Sequence, residues 1–251
     1  MPEKMVNSKE NVIPFANLGK IEESSASERL TEFIQNNRKV ILMIIVAIVV
    51  VLGVSIIGLS IRDALRKNAI AQVEEFNRRL MILNPNLNWE NLSEDGFAVS
   101  DSPEMNTLIA ELSTFAGRTS GYAGARAYHI LGNIYAEKRD WEAAEKAFTA
   151  GAKAGARTYL EAVSLFNAAS CADELGNTQG AIDLYKRSVA LKNIFPAAVR
   201  AQFQIGRLEE SRNNRDAALQ AYRDVINNWS ENSGWTNLAH SRIIALTLPN
   251  R

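Results

Sequence analysis

The chain has 251 residues, with 28 Lys and Arg against 28 Asp and Glu, so its formal net charge is zero. That balance argues against a protein that binds nucleic acid through a general basic excess. One cysteine excludes an internal disulfide and a cysteine-rich zinc site, and two histidines leave little material for a metal centre. The mean hydropathy of −0.14 is ordinary, but it averages over a chain whose hydrophobicity is concentrated in one segment.

Residues 1–39 form the first segment, which carries six basic and six acidic residues and two prolines. Low hydrophobicity and mixed charge predict a mostly disordered polar tail. A short helix from Ser27 to Asn37 fits within it, with Ser27 as N-cap and Leu30, Phe33 and Ile34 on one face.

Residues 40–61 contain no charge, and 16 of these 22 residues are Val, Ile or Leu. A helix of this length spans roughly 33 Å, which matches the ~30 Å hydrocarbon core of a bilayer. The run is longer than the apolar region of a cleaved signal peptide and follows a long polar tail, so we expect an uncleaved single-span anchor. Three basic residues flank it on each side, so charge does not decide the orientation. We expect the tail in the cytoplasm and the large C-terminal part in the periplasm, beyond an inner (cytoplasmic) membrane.

Residues 62–84 are predicted to continue as an amphipathic juxtamembrane helix that packs on its own domain. Apolar residues recur along it at steps of three and four residues and form one stripe. The stripe consists of Leu65, Ala69, Val73, Phe76, Leu80 and Leu83.

Residues 85–103 carry turn-forming residues and predict a linker, and Pro103 after Ser102 marks a helix start.

Three segments after residue 125 align with one another at a constant spacing of 37 residues. They read LGNIYAEKRDWEAAEKAF, AASCADELGNTQGAIDLY and IGRLEESRNNRDAALQAY. In each unit, a small residue on the first helix and an alanine on the second helix allow the two helices to approach closely. An aromatic residue one turn after the alanine fills the space between neighbouring units. The recurring core positions are Leu131, Gly132, Tyr135, Ala144 and Phe148, then Ala169, Ala181 and Tyr185, then Gly206, Ala218 and Tyr222.

These positions resemble the tetratricopeptide repeat (TPR), whose pattern runs W-x2-L-G-x2-Y, then A-x3-F, then P. The first unit matches best, the final proline is absent, and the period is 37 rather than 34. The resemblance implies an all-α fold: a single N-terminal transmembrane helix followed by a TPR-like solenoid of stacked helix pairs. We place the helical domain at 104–251, with repeats at about 125–161, 162–198 and 199–235 and a capping helix at 236–248.

No catalytic motif is visible, so we expect a non-enzymatic protein with no cofactor, no metal and no small-molecule substrate. In the TPR family, side chains of the first helix of each pair line a concave groove that binds peptides, and here charges of both signs flank two phenylalanines. A weaker alternative is a clamp for a C-terminal carboxylate formed by His129, Asn133, Asn167, Arg200 and Gln204. The groove candidates are Arg126, His129, Asn133, Glu137, Val163, Phe166, Asn167, Ser170, Asp173, Glu174, Arg200, Phe203, Arg207 and Glu210.

The layout of tail, anchor and TPR domain is similar to that of the ancillary subunits of the bacterial Sec translocon. That similarity implies an adaptor that binds the translocon and envelope chaperones or emerging chains. The alternative is a structural scaffold subunit in a large envelope machine, such as the periplasmic flagellar collar of spirochaetes or an outer-membrane assembly complex. In both interpretations the partners are proteins and, through residues 40–61, the lipid bilayer.

Overall fold

The computed structural model describes residues 26–85 and 101–248, and every regular element in those ranges is an α-helix. The chain divides into a unit that ends at Ile61 and a second unit from Arg62 onward. The helices are α1 (Ala26–Leu83), α2 (Pro103–Arg118), α3 (Gly121–Glu137), α4 (Trp141–Ala154), α5 (Tyr159–Glu174), α6 (Thr178–Val189), α7 (Ala198–Ser211), α8 (Arg215–Asn228) and α9 (Ser233–Thr247).

The part of α1 in the first unit contains the whole apolar run. Its large side chains are exposed, with Leu42 at 64% and Val54 at 66%. By length and composition this helix is able to cross a membrane, and signal sequences share those properties. The predicted helix at residues 27–37 is not separate, because α1 runs without a break from Ala26. Residues 26–39 of the predicted disordered tail are therefore helical, and residues 1–25 lie outside the described ranges.

In the second unit, the end of α1 packs with α2 and α3 around one core. Val73 and Leu80 are fully buried there, and Phe76 meets Phe115 of α2 at 5.5 Å between ring centroids. An ion pair of 2.5 Å between Arg79 and Glu111 joins the same two helices. The apolar stripe thus packs on its own domain, although Leu65 at its beginning is exposed.

Each helix from α2 to α9 packs against the next in chain order, and α3 also touches α5 while α7 touches α9. This places α3, α5, α7 and α9 in one layer and α4, α6 and α8 in the other, as stacked helix pairs require. Between the two helices of a pair the turn contains a residue with positive φ at the same repeat position: Arg139 (59°), Gly176 (73°) and Asn213 (60°).

Side-chain caps begin several of the helices. Ser102 accepts a hydrogen bond from the backbone N–H of Met105, and Pro103 follows it at the first helical position. Asp140 and Asn177 occupy equivalent repeat positions and accept from the N–H groups of Ala143 and Gly180. Such caps satisfy backbone donors that the first turn of a helix leaves unpaired, which fixes where α4 and α6 start.

The small-residue and aromatic positions meet inside each helix pair. A Cβ added to Gly132 would lie 2.6 Å from the ring of Phe148, and one added to Gly206 would lie 2.6 Å from the ring of Tyr222. The two helices of these pairs can approach so closely only because no side chain stands between them. Of the eleven recurring core positions, only Tyr135 is half-buried and the others are buried.

Candidate functional site

A pocket of about 430 Å³ opens between α3, the start of α4, and α5. Its walls are polar side chains from the two first helices of neighbouring pairs, and its base is partly aromatic. The structure brings together six of the predicted groove residues here: His129, Asn133, Glu137, Asn167, Ser170 and Glu174.

His129 forms the inner end of this pocket and packs edge-on against Phe148, with 5.5 Å between ring centroids. Its Nδ1 is buried without a hydrogen-bond partner among the described residues. Burial, followed by the positive charge of Arg126, lowers the pKa of His129 to about 4. The imidazole is therefore neutral at physiological pH and adds no positive charge to the pocket.

Ser170 links the pocket wall to the core. Its Oγ lies 2.9 Å from the hydroxyl oxygen of Tyr185 and 3.3 Å from the carbonyl oxygen of Phe166. Burial raises the pKa of Tyr185, so its hydroxyl stays protonated and available for this contact. The hydroxyl pair holds α5 and α6 in register beside the pocket.

Phe166 was expected to offer an apolar anchor in the groove, but the structure buries it to 9% exposure. It packs edge-on against Tyr185 at 5.3 Å and against Phe195 at 5.9 Å, and the guanidinium of Arg200 covers the ring at 5.2 Å. Phe166 therefore belongs to the core of the second repeat, because its ring fills the space between α5 and α6. Arg200 is held against that ring rather than at the pocket.

The groove candidates of α7 are tied to neighbouring helices. Arg207 forms an ion pair with Asp173 of α5 and donates from Nε to Gln204. Phe203 packs against Tyr222 and Trp235, at 5.2 and 5.3 Å between centroids. These side chains line the groove surface around α7, but contacts within the domain already engage them.

Arg126 lies apart from the pocket as well. Its Nε is 3.7 Å from a carboxylate oxygen of Glu74 on α1, within the second unit. The guanidinium is half-buried, so it joins α3 to the end of α1 instead of facing a peptide. Sequence spacing could not show this, because the partner lies 52 residues earlier in a helix that precedes the repeats.

The carboxylate clamp is not assembled. Asn133 and Asn167 do share the pocket, but Arg200 and Gln204 do not line it. A clamp for a C-terminal carboxylate needs cationic groups beside the amides, and the pocket lining contains no lysine or arginine.

Several lining residues were not among the predicted groove residues. Trp141 and Phe148 of α4 and the buried Cys171 of α5 contribute apolar surface. Trp141 follows the helix cap Asp140 and packs, partly buried, against the core cluster that contains Ala144 and Ala168, so the sequence carries no separate signal for it. Ala136 completes the lining between these residues.

Neither a metal-binding cluster nor an activated thiol is present among the described residues. Within residues 26–85 and 101–248 no group of three or more His, Cys, Asp or Glu side chains could hold a metal ion. Burial and then the carboxylates of Glu145 and Glu174 raise the pKa of the Cys171 thiol to about 12, so it is not an activated nucleophile.

Family models of the tetratricopeptide repeat match residues 125–154, 163–191 and 200–232 of this chain. A TPR repeat-containing protein of Treponema pallidum (strain Nichols) is 33% identical over 226 residues, which cover 88% of this chain and 94% of the relative. The chain therefore belongs to the tetratricopeptide-repeat family.

Among solved structures, the crystal structure of MamA is similar, with a TM-score of 0.43 and 22% sequence identity over 69% of this chain and 95% of that chain. The repeats define this protein as a protein-interaction adaptor or scaffold, because stacked TPR pairs bind protein partners.

Proposed function

We propose that the protein is a membrane-anchored, non-enzymatic TPR adaptor that binds a segment of a partner protein in the pocket between α3 and α5. The observation that carries this proposal is the state of the pocket side chains. Asn133, Glu137, Asn167 and Glu174 make no side-chain hydrogen bond or ion pair within the described part of the chain. Polar groups that converge on a concave pocket and have no internal partner are suited to an external one.

The anchor in this proposal is residues 40–61, with residues 1–39 in the cytoplasm and the domain from Arg62 in the periplasm. Support comes from the mean hydropathy of 3.5 in the most apolar window of α1 and from the exposure of its side chains. A fully exposed apolar helix is stable where lipid surrounds it. In the same helix, α1, residues 62–72 lead from the anchor to Val73, the first buried residue of the core shared with α2 and α3.

For the partner, we favour the Sec translocon together with envelope chaperones or emerging chains. A single anchor with a TPR domain holds such a groove close to the membrane surface where chains emerge. The alternative, a scaffold subunit of an envelope machine such as a flagellar collar, has one observation in its favour: the curated relative comes from the spirochaete Treponema pallidum.

Site-specific photo-cross-linking in cells tests the groove. A photoreactive residue replaces Asn133 in the pocket, and a matched one replaces Lys146, which is exposed on α4 outside it. We expect adducts at position 133 and none at 146. Translocon subunits or nascent chains in the adduct would support the first partner class, whereas one stoichiometric machine component would support the second. Equal recovery from both positions would refute groove binding.

Cysteine accessibility tests the orientation. Cys171 is the chain's one cysteine, and because its thiol is buried and has a raised pKa, we expect it not to react with maleimides. His240→Cys introduces an exposed thiol on α9, and Ser8→Cys places a thiol in the N-terminal segment of the sequence. In spheroplasts an impermeant maleimide should label position 240, and position 8 only after lysis. The reverse pattern would place the domain in the cytoplasm.

A further inference from the structure

Charge is unevenly distributed along the surface formed by α3, α5, α7 and α9. The basic side chains are already engaged within the domain: Arg126 by Glu74, Arg207 by Asp173, and Arg242 by Glu210. Arg200 lies over an aromatic ring. The cations that could neutralise an acidic pocket are therefore held elsewhere.

Two carboxylates at the α3–α5 pocket have no such partner. Glu137 ends α3 and Glu174 ends α5, and neither makes an ion pair among the described residues. Desolvation raises the pKa of Glu137, as expected for a carboxylate that nothing positive compensates. Glu174 also contributes to the raised pKa of Cys171, so its negative charge acts inside the pocket.

Ion pairs join the later helices of this surface, and the corresponding pair is missing between α3 and α5. An acidic residue near the end of one first helix pairs with an arginine of the next: Asp173 with Arg207, then Glu210 with Arg242. One repeat earlier, the positions equivalent to Asp173 and Arg207 hold Ala136 and Ser170. No arginine therefore stands at the position on α5 from which Arg207 on α7 reaches Asp173, and Glu137 has no ion-pair partner among the described residues.

The rest of the lining suits a cation with an apolar stem. Trp141 supplies aromatic surface, on which a guanidinium or ammonium group binds favourably. Asn133 and Asn167 offer amide oxygens as further acceptors. His129 is neutral, and its buried Nδ1 lacks a donor among the described residues. The pocket thus combines negative charge, hydrogen-bond acceptors and an aromatic ring.

We propose that this pocket receives an arginine side chain from an extended segment of the partner protein, with the guanidinium between Glu137 and Glu174. The inference rests on the proposed groove function and specifies its ligand. A segment ending in acidic residues, the ligand of a carboxylate clamp, is disfavoured here by repulsion from the same carboxylates.

Peptide binding to the detergent-solubilised full chain tests this. The probe is a fluorescent peptide, acetylated and amidated, with the sequence Ala-Phe-Ala-Arg-Ala-Phe-Ala, and matched peptides carry Gln or Glu in place of Arg. Fluorescence anisotropy gives the dissociation constants. Because two partly exposed carboxylates each contribute modestly, we expect the Arg peptide to bind about tenfold more tightly than the Gln peptide. The Glu peptide should bind most weakly, and added salt should reduce the preference.

Paired variants assign the preference to the pocket. Glu137→Gln with Glu174→Gln should bring the Arg and Gln peptides to within about twofold of each other. The control, Glu142→Gln with Glu231→Gln, removes the same charge from exposed positions outside the pocket and should keep the preference. Loss of preference in both double variants would refute the pocket assignment.

Equal binding of the Arg and Gln peptides, or no binding of either, would overturn the inference about arginine. Cross-linking at position 133 distinguishes failure of the arginine inference from failure of the proposed groove function. If adducts form there while the peptides show no preference, the groove binds a partner through other chemistry. If no adducts form, both proposals are wrong.

Discussion

Gly206→Ala tests whether close helix approach holds the third repeat together. The added Cβ would lie 2.6 Å from Cε1, 2.8 Å from Cδ1 and 2.9 Å from Cζ of Tyr222. Ordinary carbon contacts are ~3.5 to 4.0 Å, so the ring must retreat by about 1 Å. The ring is 1% exposed and packs against Phe203, and its hydroxyl donates to Glu210 at 2.9 Å.

The expected change in the free energy of unfolding combines two destabilising contributions and one stabilising contribution. Overpacking of a core costs about 1–3 kcal/mol, and weakening the hydroxyl hydrogen bond costs about 1 kcal/mol. Replacing glycine by alanine in a helix stabilises by about 1 kcal/mol. We therefore expect Gly206→Ala to lower the free energy of unfolding by about 2 kcal/mol. For a domain of this size, this corresponds to a Tm decrease of roughly 4–8 °C, measured by circular dichroism on the solubilised full chain.

Gly117→Ala is the matched control, because an added Cβ there meets only the hydroxyl of Tyr128, at 4.0 Å. It should raise the Tm slightly through helix propensity. Combining Gly206→Ala with Tyr222→Leu should cost at least about 1 kcal/mol less than the sum of the single changes. A Tm for Gly206→Ala at or above that of the parent would refute the reasoning.

Two further predictions concern the turns and His129. Arg139→Gly should raise the Tm by a few degrees and Gly176→Ala should lower it, because both positions have positive φ, which costs a non-glycine residue about 1 kcal/mol. Shifts of the same sign would contradict this. Because the pKa of His129 is lowered to about 4, the unfolded state binds an extra proton between pH 6.5 and pH 4. Stability should fall by up to about 3 kcal/mol as the pH decreases through that range. His129→Gln should flatten the profile in urea titrations, and an unchanged pH dependence would exclude His129 as its cause.

The sequence was sufficient for the features that repeat. The repeat period of 37 residues identifies the small and the aromatic positions of each helix pair, and the helix period fixes which side chains face the neighbouring helix. The sequence could therefore predict that Gly132 meets Phe148 and that Gly206 meets Tyr222. The turns could be predicted for the same reason, although only the structure shows that Arg139 and Asn213 adopt the conformation that Gly176 adopts. Local pattern and helix geometry thus determine the all-α, stacked-pair fold.

The candidate site could be predicted only in part. The family pattern directed attention to Asn133, Asn167 and Ser170, which line the pocket, but it also included Phe166, which the structure buries. A side chain at a groove position turns inward when the neighbouring helix pair leaves space for it, and that space depends on residues such as Phe195 in another segment. No single-helix pattern contains that information.

What the sequence by itself determined is therefore the apolar segment, the period of the repeats and the identity of the small and aromatic positions, because each depends on neighbours within one or two helical turns. What only the tertiary structure decided is which charges remain unpaired. Arg126 is paired by Glu74 and Arg207 by Asp173, both across helices, whereas Glu137 and Glu174 are left at the pocket. Ion pairing depends on distances between helices, and those distances exist only once the pairs are stacked.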